Sequence, residues 1–493
     1  MKYLIDTNIL IPLEPATVDG LSAESPMALQ FIQIVLKSKH EVFLHPSQIR
    51  DIARDPDEAR RAIREAAFNK YLSLPSIPET PDELTEHVGN PERYSNDWVD
   101  NQLVTALYVD AIHYLISNDQ GIHRKARRLG LAERALTLSV ALNTVEILFD
   151  RPTIPPPAVR SITAYEIDHS DHFFDGFRTD YPGFDDWLIR CKREHRQAWI
   201  IDGETTKYAA VCIVNNEKIE TFGLKGRILK ICTFKVNQEY SGFHYGELLL
   251  KTVFQYALRN GYCWLYITVH PKYDTLINLL QYFGFTSVNN PTDTGDIRFI
   301  KSLVDLSNEK DSSSPLEYFK KFGPYSFHIQ DVQNYIVPIL PKYHRLLFPD
   351  AELQIDLIKR ITPYGNGILK AYLSGASIRQ ISPGSVLYFY RSDDLKGITT
   401  VGVVEEWKVS EDPEEIASFV GSRTVYSFEE ITMFCSSPTI AILFQHAGIL
   451  NRPIFYDDLL ENKVVKGPPQ SIQSVSEEGV QWLQNQIRER LPY

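Results

Sequence analysis

The chain has no apolar stretch long enough to span a bilayer. Its five cysteines, Cys191, Cys212, Cys232, Cys263 and Cys435, are scattered and show no metal-ligand spacing, which excludes a thiolate metal knuckle. Such thiols are most simply small buried apolar groups, and they fit a reducing setting. Internal repeats and extended low-complexity tracts are absent too. There is no excess of positive charge: 51 Lys and Arg stand against 63 Asp and Glu, a formal charge of −12. That argues against a generally sticky nucleic-acid binder and leaves room for local basic grooves. The first residues read as a strand, without the basic leader and apolar core of a signal peptide, so a cytoplasmic location is expected.

What is present is an ordinary globular composition, 43% hydrophobic and 23% charged. A length of 493 residues predicts two to four domains. Two breaks divide it. Arg151-Pro152-Thr153-Ile154-Pro155-Pro156-Pro157 is a stiff Pro-rich connector, and the run from Ser307 to Pro315 is polar and serine-rich. The expected domains are 1–150, 161–305 and 317–493, joined by linkers at 151–160 and 306–316.

Four acids in the first piece carry most of the information. Asp6 ends the apolar run Tyr3-Leu4-Ile5, and Asp119 follows Tyr114-Leu115-Ile116-Ser117-Asn118. Both positions read as the C-terminal ends of strands, where open α/β sheets place their sites. Asp51 precedes an Ala-, Arg- and Glu-rich helix expected over 56–71. Asp100 lies in a helix predicted to start at Asp97 as N-cap, with Val99, Leu103 and Ala106 on one face. Carboxylates packed together raise one another's pKa unless a cation joins them. Oxygen-rich clusters suit Mg²⁺ or Mn²⁺, which can activate water for phosphodiester cleavage. Asp55 competes with Asp51, and Asp97 with Asp100. Arg124, Lys125, Arg127 and Arg128 after Asp119 suit either a phosphate backbone or a solvated helix face.

With Asp6-Thr7-Asn8, the Asp51 context, Asp100-x-x-Leu103-x-x-Ala106 and Ser117-Asn118-Asp119, residues 1–150 resemble a PIN-domain ribonuclease. The resemblance implies a PIN-like α/β sheet. It also implies Asp6, Asp51, Asp100 and Asp119 as metal ligands, with Asn8 and Asn118 supporting them. Asp6, Asp100 and Asp119 would be catalytic.

The second piece carries a long strand, Ile228–Val236, then Asn237-Gln238-Glu239-Tyr240-Ser241-Gly242-Phe243-His244-Tyr245-Gly246, then a helix from Glu247. A strand, a turn of small residues and a helix N-terminus make an anion site of backbone N–H groups. A second strand over 264–269 and a helix closed by Gly284 come next. This order, over about 160–303, resembles the GNAT acetyltransferases. The resemblance implies an α+β fold that uses acetyl-CoA, with Val236, Ser241, Gly242, Phe243, His244, Tyr245 and Gly246 at the cofactor. The family's turn, Gln/Arg-x-x-Gly-x-Gly/Ala, falls on Ser241, His244 and Gly246, and only Gly246 matches it. His270 is a candidate base and Tyr282 a candidate acid, although the family's tyrosine aligns better with Leu280. Packing or strand-end capping competes with both roles.

From 361 to 470 short strands and turns alternate. Lys370, the Pro383-Gly384 turn, Tyr388-Phe389-Tyr390-Arg391 and Gly421-Ser422-Arg423-Thr424 resemble the ASCH and EVE modules of the PUA-like superfamily. The resemblance implies a small β-barrel that binds RNA, with Lys370, Arg391 and Arg423 as contacts. Tyr388 and Tyr390 share one strand face and serve equally well as barrel core.

The three resemblances together imply an RNA-directed enzyme, acting on RNA or tRNA, that pairs a nuclease with an N-acetyltransferase. Such modules occur in toxin–antitoxin and defence systems, and the PIN resemblance implies a homodimer. The alternatives are a protein N-acetyltransferase and a regulatory nucleic-acid-binding protein with an inactive nuclease fold.

Overall fold

The computed structural model describes residues 1–16, 22, 24–150, 158–203, 206–217, 224, 226–240, 242–288, 295–305, 313–324, 326–329, 331–351, 367–375, 378 and 381–491. They form two units, Met1–Pro152 with Lys408–Thr439, and Thr153–Trp407 with Ile440–Tyr493. The Pro-rich connector, most of the serine-rich linker and Ser241 lie outside the described residues.

The first unit is built on strands β1 (Lys2–Ile5), β2 (Glu41–Leu44), β3 (Leu72–Ser73), β4 (Tyr114–Ile116) and β5 (Ala135–Leu136), in the order β3-β2-β1-β4-β5. Every pair is parallel. Parallel strands are covered on both faces, which is why these runs are continuously apolar rather than alternating. Leu4, Leu103, Leu107, Leu115 and Ile122 are fully buried in one core. Truncating one such leucine to alanine costs roughly 2–5 kcal/mol. The order reverses between β1 and β4, so their carboxyl ends flank the switch point of the sheet.

Two local expectations shift. The Ala- and Arg-rich helix spans Glu58–Phe68, with Asp57 as its N-cap. The next begins at Asn96, because the Ser95 hydroxyl accepts from Trp98 N–H at 3.1 Å and takes the cap expected of Asp97. Its buried face includes Val99, Leu103 and Ala106 as expected, but Asp100 falls beyond the first turn.

Residues 408–439 also belong to this unit, although their sequence suggested a place in the C-terminal module. Tyr114 donates its hydroxyl to Ala417 O at 3.1 Å, and the helix Pro413–Val420 buries Ile416, Ala417 and Val420.

The second unit holds two sheets. In the first of them, strands β6 (Val159–Thr163), β7 (Gln197–Asp202), β8 (Tyr208–Glu217), β9 (Arg227–Val236), β10 (Tyr262–Val269), β11 (Thr286–Val288) and β12 (Ile297–Ser302) run in the order β11-β12-β10-β9-β8-β7-β6. Only β9 and β10 pair in parallel in this sheet, as a strand–helix–strand crossover requires. In the other, strands β13 (Asn334–Ile339), β14 (Leu369–Ser374), β15 (Val386–Arg391), β16 (Gly397–Ser410), β17 (Thr439–Phe455) and β18 (Gln473–Ser474) run in the order β14-β17-β16-β15-β13-β18. The expected closed barrel is not formed among the described residues. The sheet is open, and its last strand is two residues long, too short to close onto the far edge.

Candidate functional site

At the switch point of the first sheet, Asp6 is nearly enclosed, 6% exposed. Its carboxylate accepts from Thr7 N–H at 2.6 Å, Asn8 Nδ2 at 2.6 Å and Ser117 Oγ at 2.7 Å. Ser117 also accepts from Asp119 N–H at 3.0 Å and Asn8 Nδ2 at 3.1 Å, so one hydroxyl joins the ends of β1 and β4. Asp119 caps the helix Gln120–Arg128 by accepting from Gly121 and Ile122 N–H. Asn8 and Asn118 are scaffold: Asn8 Oδ1 accepts from Asn118 N–H, and Asn118 donates to Glu24 Oε1 and accepts from Leu138 N–H.

Neighbouring acids act on Asp6 and Asp100. Burial pushes Asp6 up to about 6, against the Ser117 and Thr7 hydrogen bonds, and the charges of Asp51 and Asp119 push it further. Asp100 rises to about 7, again first through burial. Lys125 opposes that rise, while Asp6, Asp119 and Asp97 add to it. The rival Asp55 is taken out of this cluster. It is gripped by Arg60 and Arg64, and the Arg60 hydrogen bond holds its carboxyl below the usual carboxylate range. Asp51 instead meets Arg54 Nη1 at 2.6 Å. Lys125, expected to face a phosphate or solvent, turns inward, buried against Asp97 and 3.8 Å from Asp100. Ser117 and Lys125 are the contacts of these acids that sequence reasoning undervalued. The Ser-Asn-Asp run held the signal for the first, but nothing local marked the second.

These oxygens are engaged by protein donors. Among the described residues, no group of three or more His, Cys, Asp or Glu is placed to hold a metal ion. As arranged, the expected Mg²⁺ or Mn²⁺ ligand set does not close around an ion.

The second site arises from strand pairing. β9 and β10 pair from Tyr262↔Arg227, with a register shift before Trp264↔Ile228, to Ile267↔Ile231 and no further. Beyond that point β9 stays with β8 through Val236↔Ala210, and β10 stays with β12 through Val269↔Ile297. The register of β8 and β9 slips there, pairing Ile213 with Thr233 and Val214 with Ile231, which leaves Cys232 as a bulge. A bulge bends its strand, and this one steers β9 away from β10. The sheet therefore splits at the carboxyl ends of its two parallel strands.

The helix Tyr245–Arg259 starts beside the split. Gly242 has φ +91° and His244 φ +55°, so the turn into the helix runs through left-handed backbone. A Cβ at Gly246 would lie 2.9 Å from Leu279 and 3.7 Å from Phe234 and Val236. Val236 and Gly246 thus meet at the mouth of the split. Tyr240, Phe243 and Tyr245 form an aromatic cluster, with Tyr240 and Tyr245 stacked at 5.7 Å. Glu247, in the first helical turn, accepts Leu369 N–H at 2.6 Å on its buried carboxylate, whose other oxygen lies 3.7 Å from His244 Nδ1.

His270 follows β10, and its Nδ1 accepts from Lys272 N–H at 3.2 Å. Tyr282 ends the helix Asp274–Tyr282, partly buried, with Lys320 Nζ 5.1 Å from its ring centroid. Leu280, where the family's tyrosine aligns, is fully buried. Of the candidate RNA contacts, Lys370 is fully buried and Arg391 is forked onto Asp394 at 2.8 Å and 2.5 Å. Arg423 belongs to the other unit, where it lies 3.7 Å from Glu133. Tyr388 and Tyr390 are core residues beside Ile336, Val401 and Val403, which is why they present no stacking face.

Residues 162–285 match the family model of the Acetyltransferase (GNAT) family, and this segment is a GNAT acetyltransferase domain. Similar solved structures include the IAA acetyltransferase from Bacillus cereus ATCC 14579, at 15% identity over 30% of this chain and 99% of that one, TM-score 0.24. Another is ASCH from Zymomonas mobilis, at 16% identity over 31% of this chain and 94% of that one, TM-score 0.24. A search of curated proteins finds no match. No helix among the described residues is long and apolar enough to cross a membrane.

Proposed function

We propose that the chain is an acetyl-CoA-dependent N-acetyltransferase. The observation that carries this reading is the split between β9 and β10 at Ile231 and Ile267, with a helix N-terminus and Gly246 at its mouth. Strands that part leave backbone groups along the gap for an extended pantetheine arm. The first-turn N–H groups of the Tyr245–Arg259 helix suit the pyrophosphate. Val236, Gly242, Phe243, His244, Tyr245 and Gly246 would line the cofactor, with Ser241 in the same turn. Bound acetyl-CoA supplies the thioester. His270, at the end of β10, would take the proton of the attacking amine; for Tyr282 a packing role against Lys320 competes with that of acid. Titration with acetyl-CoA in a calorimeter tests the reading: binding lost in a variant that fills the split supports it, and no binding by the folded wild type ends it.

A second chemistry is supported by the acidic charge that bears on Asp6 and Asp100 at the switch point. In this reading the first unit is a nuclease-type domain acting on RNA, and a divalent ion relieves the repulsion among the four acids. Its side-chain ligands would have to exchange protein donors for the ion. Mg²⁺- or Mn²⁺-dependent cleavage of total RNA, absent in Asp6→Asn, is the expected result. Labelled acetyl-CoA incubated with total RNA and with total protein would identify the acceptor. Lys370, Arg391 and Arg423 are proposed RNA contacts only through side-chain rearrangement. Sedimentation at several concentrations tests the proposed homodimer.

A further inference from the structure

We propose that the loop preceding the Asn96–Tyr108 helix is a stacking platform for a single strand of nucleic acid, with Tyr94 as the ring that holds the guanidinium planes of Arg50 and Arg93 toward the bases. Tyr94 is 40% exposed and sits at φ +71°. A bulky aromatic residue rarely adopts that backbone, and such outliers cluster where a surface has work to do. The conformation is held from behind: Arg54 Nη2 donates to Tyr94 O, while its Nη1 donates to Asn96 Oδ1 and to Asp51 Oδ1. The backbone that carries the ring is thereby tied down.

Two guanidinium groups lie over that ring, Arg50 at 3.7 Å and Arg93 at 4.8 Å from its centroid. Neither is paired with a carboxylate among the described residues, in a chain with more acids than bases. Trp98 meets Tyr94 edge-on at 5.2 Å and braces it. Exposed guanidinium planes braced by a ring, with charge not spent on carboxylates, are the chemistry that holds bases by stacking and phosphates by ion pairing. Duplexes hide their base faces, so a single strand is the occupant that uses both halves of the platform.

Position links this platform to the acids. Arg54 touches both Tyr94 O and Asp51, and the Asp51 charge acts on Asp6. A strand stacked on Tyr94 would therefore run past the switch point. Cleavage of the bound strand rests on the nuclease reading, but binding itself does not.

The test is fluorescence anisotropy with the full chain and a short labelled oligouridine, in EDTA so that nothing is cut. Tyr94→Ala is expected to weaken binding about tenfold or more, and Tyr94→Phe to keep it. Arg50→Ala and Arg93→Ala should each weaken binding and lower the salt slope by about one. Tyr94→Gly removes the ring and relieves the backbone, so it serves if the alanine variant folds poorly. Wild-type affinity in a folded Tyr94→Gly or Tyr94→Ala protein overturns the proposal, as does equal affinity for duplex RNA. A parallel titration with oligodeoxythymidine shows whether the sugar is read. Binding that depends on Tyr94 without any cleavage when metal is restored sinks the nuclease reading alone.

Discussion

The two candidate sites both lie at the carboxyl ends of parallel strands, but they arise from opposite events. In the first unit β1 and β4 stay paired to their ends, and the residues just beyond them converge: Asp6 and Asp119 share the hydroxyl of Ser117. In the second unit β9 and β10 part before their ends, and the space between them is the site. One site is a concentration of charge held by protein donors, the other a gap lined by backbone and apolar side chains. The first should therefore respond to pH and cations, and the second to changes of volume.

The largest effect that would sharpen this contrast is Asp6→Asn. Loss of a first carboxylate should cost about 100-fold or more in RNA cleavage, with acetyl-CoA affinity unchanged. Gel-based cleavage and calorimetry on the same preparation check it. Gly246→Leu is the reciprocal change. Its side chain would crowd Leu279, Phe234 and Val236, and overpacking of that kind should weaken acetyl-CoA binding roughly 10- to 100-fold while leaving cleavage alone. If either variant damages both activities in a folded protein, the sites are not separate.

Acidity gives the next effect. Asp6 and Asp100 have folded pKa values raised to about 6 and about 7 from an ordinary 3.8. The stability they contribute by staying protonated is complete below about pH 4 and is lost as pH rises through 6 and 7. For Asp6 alone that loss is about 3 kcal/mol, at 1.36 kcal/mol per unit. Mn²⁺ should accordingly raise the melting temperature more at pH 8 than at pH 5, as differential scanning calorimetry would show. An equal increment at both pH values would break the link between the acids and the ion.

Excising 411–438, with a short turn joining β16 to its sheet neighbour β17, removes the Ala417 acceptor of Tyr114 and the buried Ile416 and Val420. A lower melting temperature for the first unit, with unchanged acetyl-CoA binding, is the expected outcome. The smallest effect is Tyr282→Phe. Its ring packs under Lys320, and removal of the hydroxyl should change the acetylation rate less than about threefold, whereas loss of a general acid costs about 100-fold or more. Steady-state kinetics decides between them.

Much of the first site was legible because each acid follows or precedes a locally coded element. Asp6 and Asp119 end apolar runs, and the parallel order of the strands then places them at the reversal. The choice between Asp51 and Asp55 was not legible, since both flank the same helix. Arg60 and Arg64, one turn apart, neutralise Asp55 in the fold. In the second site the strand–turn–helix order was visible, and the split was not. A bulge at Cys232 is a mismatch between two strands, and one strand's residues do not encode it alone. The aromatic run at Tyr388–Tyr390 alternates as a strand should, but only packing shows that its rings are interior.

The sequence by itself determined the local pieces: apolar runs, capping acids, the turn with Gly242 and Gly246, and the segment 162–285 that matches an acetyltransferase family. Tertiary structure alone decided that 408–439 belongs to the first unit, that Lys125 faces the acids, and that β9 leaves β10 after Ile231. The division has a simple cause. Periodicity and capping act within a few residues, whereas charge pairing and strand register depend on partners that are distant along the chain and adjacent only once it has folded.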